Sequence, residues 1–234
     1  MKLGIMQPYI FPYIGYFQLL NAVDRFVVYD DVTFIKQGWI NRNKILLNGA
    51  EHVFTVPLKN ASSFITIGKT EINNVLYSNW ANKFLKTIGQ AYSKAPHFHK
   101  VFELLNSVMN GKHDIISELA TSSIVATCNY LGVEAEFVET ATGYANGELK
   151  AKDRVIDICK KEKADIYINP IGGRELYSRD DFEKSGLLLN FIRSKNITYR
   201  QLGNEFVPWL SVIDVMMFNA PEVISGFLNE YELE

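Results

Sequence analysis

Four short stretches concentrate the side chains that could do chemistry. Asp30 and Asp31 close the apolar run Phe26–Tyr29. A carboxylate at a strand end can hold an ammonium, a ribose or a metal, and it can take a proton from an amine. Adjacent strand residues point to opposite faces, so at most one of the two meets a given ligand. The plainer alternative is a polar strand end entering a turn. Lys36, Trp39, Asn41, Arg42, Asn43 and Lys44 fall within nine residues. Cations, amides and an indole suit a phosphate beside a sugar or base, and the alternative is the charged shoulder of a hairpin. Asn169-Pro170-Ile171-Gly172-Gly173-Arg174 follows another apolar run. Gly172 and Gly173 let successive N–H groups converge on an anion, with Arg174 as a forked cation beside them. The alternative there is a surface loop whose Arg174 pairs with Glu175 or Asp180.

The fourth stretch runs from Gln7 to Tyr16, through two prolines to Tyr13-Ile14-Gly15-Tyr16. Tyr13 and Tyr16 are three apart, which places them on one face of a first helical turn. Either they are rim residues with the ring in and the hydroxyl out, or they meet a ligand. Gly15 costs a helix roughly 1 kcal/mol against alanine, so either a strand or a ligand comes close to it. The remaining candidates are weaker. His97 and His99 begin a helix after Pro96 without partners, and His52 and His113 are isolated. No metal site, Ser-His-Asp set, Walker loop or dinucleotide fingerprint is visible.

The elements that must position these residues follow from periodicity. Lys2–Met6 reads as a buried strand, Tyr13–Val23 as a helix and Phe26–Tyr29 as a second strand. Such a crossover is right-handed and makes parallel strands, and ligands then sit beyond the carboxyl ends. Ile45–Leu47 and His52–Leu58 flank Asn48-Gly49, a hairpin signal. Ser62–Ile72 alternates and reads as a further strand. Helices are expected at Asn79–Ser93, Phe98–Met109, Asp114–Leu131, Asp153–Lys163 (with Asp153 as cap), Phe182–Ser185, Leu210–Phe218 and Pro221–Asn229. Strands are expected at Glu134–Thr140, Asp165–Asn169 and Leu187–Ile192, with Ile197–Gln201 extended. The class is α/β: a mainly parallel, Rossmann-like sheet with helices on both faces and an antiparallel hairpin excursion.

Composition narrows the setting. The chain has 234 residues, 47% hydrophobic and 13% aromatic, with a net charge of −2. No basic block points to nucleic acid or to an anionic membrane. No run approaches a membrane span, and the opening residues do not read as a signal peptide. Cys128 and Cys159 form no CxxC. A reduced, cytoplasmic setting is expected.

Five motifs together resemble the WbqC-like family: Gly4-Ile5-Met6-Gln7-Pro8-Tyr9-Ile10-Phe11-Pro12-Tyr13-Ile14-Gly15-Tyr16-Phe17, Gly38-Trp39-Ile40-Asn41-Arg42-Asn43-Lys44, Tyr92-Ser93-Lys94-Ala95-Pro96, Tyr167-Ile168-Asn169-Pro170-Ile171-Gly172-Gly173 and Leu210-Ser211-Val212-Ile213-Asp214. They span nearly the whole chain, which implies a single WbqC-like domain over residues 1–234. The resemblance implies a place in surface-polysaccharide (O-antigen) biosynthesis and a transferase that attaches an acyl or aminoacyl group to the amine of a nucleotide-linked amino sugar. In that reading Lys36 and Arg42 hold phosphates, Trp39 lies against a ring, and Asp30 or Asp31 orients or deprotonates the amine. Gln7, Tyr13, Gly15, Tyr16, Asn41, Asn43, Asn169, Gly172, Gly173 and Arg174 complete the expected substrate site. Two alternatives stand beside it: a non-catalytic nucleotide-sugar binding protein and an ATP-dependent nucleotidyltransferase or ligase. The second comes from a likeness of the opening unit to HIGH-type nucleotidyltransferases and pantothenate-synthetase-like ligases. Tyr13 and Tyr16 stand where those enzymes carry histidines, and tyrosine cannot act as a cation on ATP phosphates. The cofactor stays open, with ATP disfavoured by these tyrosines, and the partner expected is a small molecule, with no nucleic acid and no membrane insertion.

Overall fold

In the computed structural model, which describes residues 1–203 and 205–234, a six-stranded sheet runs in the order β5-β2-β1-β6-β7-β8. The chain enters through β1 (Lys2–Met6), α1 (Ile14–Ala22) and β2 (Arg25–Val28). An antiparallel hairpin follows, β3 (Arg42–Leu47) and β4 (Ala50–Thr55), turning at Asn48 and Gly49, both with positive φ. Three helices come next: α2 (Asn74–Tyr92), α3 (Phe98–Met109) and α4 (Ile116–Leu131). The chain then returns through β5 (Glu136–Val138), α5 (Ala151–Lys161), β6 (Ile166–Pro170), α6 (Arg179–Glu183) and β7 (Leu188–Ser194). It ends with α7 (Val212–Phe218), α8 (Pro221–Phe227) and β8 (Tyr231–Leu233). β1, β2, β5, β6 and β7 are parallel, and β8 is antiparallel to β7.

The two faces of the sheet carry separate cores. Phe17, Leu19 and Leu20 of α1 pack with Phe26, α2 to α4 and α7. Val155, Ile158 and Cys159 of α5 and Phe182 of α6 pack with Leu3, Ile5 and Leu189 on the other side. This follows from handedness. The right-handed crossover from β1 to β2 moves one way along the sheet, and those from β5 to β6 and β6 to β7 move the other way. Their helices therefore cover opposite faces. The direction reverses between β1 and β6, the position where open sheets of this kind present their ligand crevice. No helix among the described residues is long and apolar enough to cross a membrane.

Several expected elements shift. Ser62–Ile72 is not a strand: it is a loop with a 3-10 turn at Ile67–Lys69 and bridges at Thr66 and Ile72. The alternation arose because Ile67 and Ile72 are buried while Phe64 projects into solvent. β8 was not foreseen, and α2 begins five residues early, at Asn74. The cap of α5 is Lys150, with Asp153 inside its first turn.

Candidate functional site

Tyr9, Pro12, Tyr13, Trp39, Asn43 and Trp209 line a groove of about 210 Å³ beside the start of α1. It continues past Tyr13 and Trp209 into a recess formed by Ser194, Lys195, Asn196 and Tyr199, among others. The ring centroids of Tyr13 and Trp209 lie 6.1 Å apart. Tyr13 is 37%, Trp39 40% and Trp209 60% exposed, a concentration of uncovered aromatic surface that marks binding sites. The Arg42 guanidinium lies 5.4 Å and Lys44 Nζ 5.8 Å from the Trp39 ring centroid, within cation–π range. Lys44 also pairs with Glu51 at 2.6 Å. Arg42 Nε is buried without a hydrogen-bond partner.

The groove wall is held from behind. Phe11 has φ 40° and is fully buried, a conformation that costs of order 1–3 kcal/mol unless its surroundings impose it. Three side chains do so. Ser123 Oγ accepts from Phe11 N at 3.0 Å, while Asn43 Nδ2 at 2.7 Å and Ser211 Oγ at 2.6 Å donate to its carbonyl. Asn43 also donates to Ile10 O at 3.1 Å. Trp209 has φ 60°, and the segment around it is pinned through Asp214. That carboxylate accepts from Tyr92 at 2.9 Å, Tyr199 at 2.7 Å and Gln201 at 2.7 Å. Burial raises its pKa, and the hydrogen bonds only partly oppose this.

A second cavity, about 310 Å³, opens where β2 and β5 end, lined by Asp31, Thr66, Gly68, Lys69, Thr142, Ala145, Asn146 and Gly147. Asp31 pairs with Arg154 through Oδ2, and its Oδ1 is buried without a partner. Asp30 is 6% exposed. Its Oδ1 accepts from Thr140 Oγ1 at 2.8 Å and Ala141 N at 3.1 Å. Burial raises the Asp30 pKa, against the pull of those bonds. Gly68 is required here, because a Cβ would come within 2.8 Å of Asp30 Oδ2.

The structure thus gathers Tyr13, Trp39 and Asn43 in one groove with Arg42 at its side, although more than twenty residues separate Tyr13 from the other three along the chain. Other expected residues stand elsewhere. Tyr13 and Tyr16 do not share a face: Tyr13 is extended ahead of the helix, whereas Tyr16 is buried and donates to Gln7 O at 2.9 Å. Gly15 makes room for the Tyr13 ring and for Ser194 Oγ, which would lie 2.5 Å from a Cβ. Asn41 faces inward and donates to Val56 O at 2.9 Å. Lys36 is exposed and lines neither space. At the end of β6, Asn169 accepts from Tyr167 at 2.9 Å and packs against Gly173, while Gly172 has open space around it. Arg174 pairs with Glu234 at 2.7 Å, neither of the partners expected from sequence. Asn169, Gly172, Gly173 and Arg174 line neither the groove nor the cavity.

Sequence reasoning missed Tyr9, Trp209, Lys195 and Tyr199 in the groove, and Arg154 and Asn146 beside the cavity. Only Trp209 carried a signal: a tryptophan after Pro208, immediately before the Leu210–Asp214 motif. Among the described residues no group of three or more His, Cys, Asp or Glu could hold a metal ion.

A doubly wound α/β sheet with an aromatic groove at its carboxyl edge defines the class of protein. The model of the WbqC-like protein family matches residues 7–225, and the chain belongs to that family. It is similar to a protein of Mycobacterium tuberculosis, the uncharacterized protein Rv1507c, at 27% identity over 221 residues, 93% of each chain. No solved structure gives a significant match.

Proposed function

We propose that the protein transfers an acyl or aminoacyl group to the amine of a nucleotide-linked amino sugar in bacterial surface-polysaccharide synthesis. The observation that carries this reading is the groove itself. Exposed Tyr13, Trp39 and Trp209 offer flat surfaces to a base, and the Arg42 guanidinium beside Trp39 and nearby Lys195 suit a diphosphate. In the reaction the amine attacks the carbonyl of an activated donor. A C–N bond forms, the bond to the donor's leaving group breaks, and the amine's proton passes to a carboxylate. Asp30 and Asp31 are the candidates for that carboxylate. They follow β2, which pairs directly with β1, so the chain segments leading to groove and carboxylates leave the sheet roughly 5 Å apart.

One observation favours a second reading, binding without catalysis: neither Asp30 nor Asp31 lines the groove. The third, ATP-dependent ligation, draws no support from Tyr16, whose hydroxyl is buried and committed to Gln7. Incubation with a UDP-linked amino sugar and an acyl thioester, followed by mass spectrometry, separates the first two. The amide product is expected. Binding of the nucleotide sugar without any amide product would leave the binding-protein reading.

A further inference from the structure

We infer that the polar cavity beyond β2 and β5 seats the amino sugar itself, with Asp31 receiving the sugar's ammonium group. This rests on the reading of the protein as one that handles an amino sugar, and it names the subsite.

Asp31 is held in place by a chain of buried contacts. Its partner Arg154 is 5% exposed and lies over the Tyr29 ring, with 5.0 Å from the guanidinium carbon to the ring centroid. Arg154 Nε donates to Asn146 Oδ1 at 3.0 Å, and Asn146 Nδ2 donates to Asp157 Oδ2 at 2.7 Å. An ion pair buried this deeply is not needed for stability, because apolar residues of similar volume do as well or better. An ionised carboxylate offers about four acceptor positions, and among the described residues Asp31 uses one, for Arg154. Oδ1 is buried, so a donor in the cavity meets Oδ2, beside Arg154, on a side chain that is 20% exposed.

The other walls say what that donor is attached to. Thr66, Thr142 and Asn146 present hydroxyl and amide groups, which exchange hydrogen bonds with a polyol. A metal ion fits poorly, because Asp31 is, among the described residues, the only carboxylate lining the cavity, and a divalent ion needs several oxygen ligands. An ammonium carried on a sugar gains a charge-assisted bond to Asp31. Its hydroxyls satisfy the threonines, and Lys69, without an ion-pair partner among the described residues, serves a phosphate attached to that sugar.

The test is titration calorimetry of the full chain with D-glucosamine, N-acetylglucosamine and glucose. Glucosamine is expected to bind at least about tenfold more tightly than the other two, the lower end for a hydrogen bond to a charged group. Asp31→Asn is expected to abolish that preference. Because Asp31→Asn also removes Arg154's partner, a second variant is needed. A Cβ on Gly147 meets no atom within 4 Å, so Gly147→Phe leaves the fold intact, as circular dichroism would verify, while its ring occupies the cavity and glucosamine binding is lost. Equal affinities for the three sugars, no binding of any, or glucosamine binding unchanged in Gly147→Phe would each overturn the assignment. A glucosamine preference in a protein that ignores nucleotide sugars would instead sink the groove reading and leave this one standing.

Discussion

The groove on the α1 side of the sheet and the cavity on the α5 side are built by opposite means. In the groove, the surfaces offered to a ligand are mostly aromatic and exposed, and apart from Asn43, which also lines the groove, the polar groups that fix them sit behind the wall, at Ser123, Ser211 and Asp214. In the cavity, Asp31 and Asn146 both line the space and hold its wall, through Arg154. Ligand contact and stability are therefore separable in the first region and joined in the second.

The sharpest way to break that contrast is Arg154→Ala. It leaves Asp31 without its buried cation and Asn146 without its donor, and it is expected to cost roughly 3–5 kcal/mol. Urea unfolding measures this, and a loss under about 1 kcal/mol would show that the cavity is not held by its charges. Next is Asn43→Ala, which strands the carbonyl of Ile10 and leaves that of Phe11 with Ser211 alone. At 1–3 kcal/mol for an unsatisfied group, the cost is about 2 kcal/mol. The same variant is expected to weaken groove ligands, because the Phe11 turn loses a brace.

Asp214 gives a pH signature. Burial holds its carboxyl above the value it has in the unfolded chain. The associated stability is fully present below the unfolded carboxylate range, about pH 4, and is lost as pH rises through the raised folded value. Asp214→Asn turns an amide N–H₂ toward hydroxyl and amide donors and should destabilise by roughly 1–3 kcal/mol. Its urea midpoints should also fall less steeply as pH is raised from about 3 to about 7. Asp30, raised by burial in the same direction, retains part of the slope. The smallest effect belongs to Arg174→Ala. Its pair with Glu234 is exposed, so stability should change by less than about 1 kcal/mol and affinity for a groove ligand should not change. Weaker binding in this variant would bring the loop after β6 back into the site.

Much of the scaffold was legible because local signals agreed with the fold. β1, the Asn48-Gly49 turn and α3 read directly from apolar spacing and turn chemistry. Trp39 and Tyr13 were legible as candidates because uncommon polar or aromatic clusters followed strands. The role of Asn43 was not, because an amide that braces a strained carbonyl looks the same in sequence as one that meets a ligand. Trp209 and Lys195 join the groove through long-range packing of the segment after β7, which carries no periodic pattern. Arg154 was hidden for a similar reason. On α5 it reads as one more charged residue among lysines, and only the fold brings it beneath Asp31, 123 positions away in sequence.

The central claim is that the aromatic groove receives the nucleotide part of a nucleotide-linked sugar. Its most direct test is titration of UDP-glucosamine into wild type and Trp39→Ala, with MgATP as comparator. Trp39 is 40% exposed, so its removal should leave stability within about 0.5 kcal/mol of wild type. UDP-glucosamine is expected to bind wild type in preference to MgATP. Trp39→Ala should weaken it by roughly 1–3 kcal/mol, the range for loss of one stacked base. Equal affinity of wild type and Trp39→Ala for UDP-glucosamine, or no binding to either, would contradict the account.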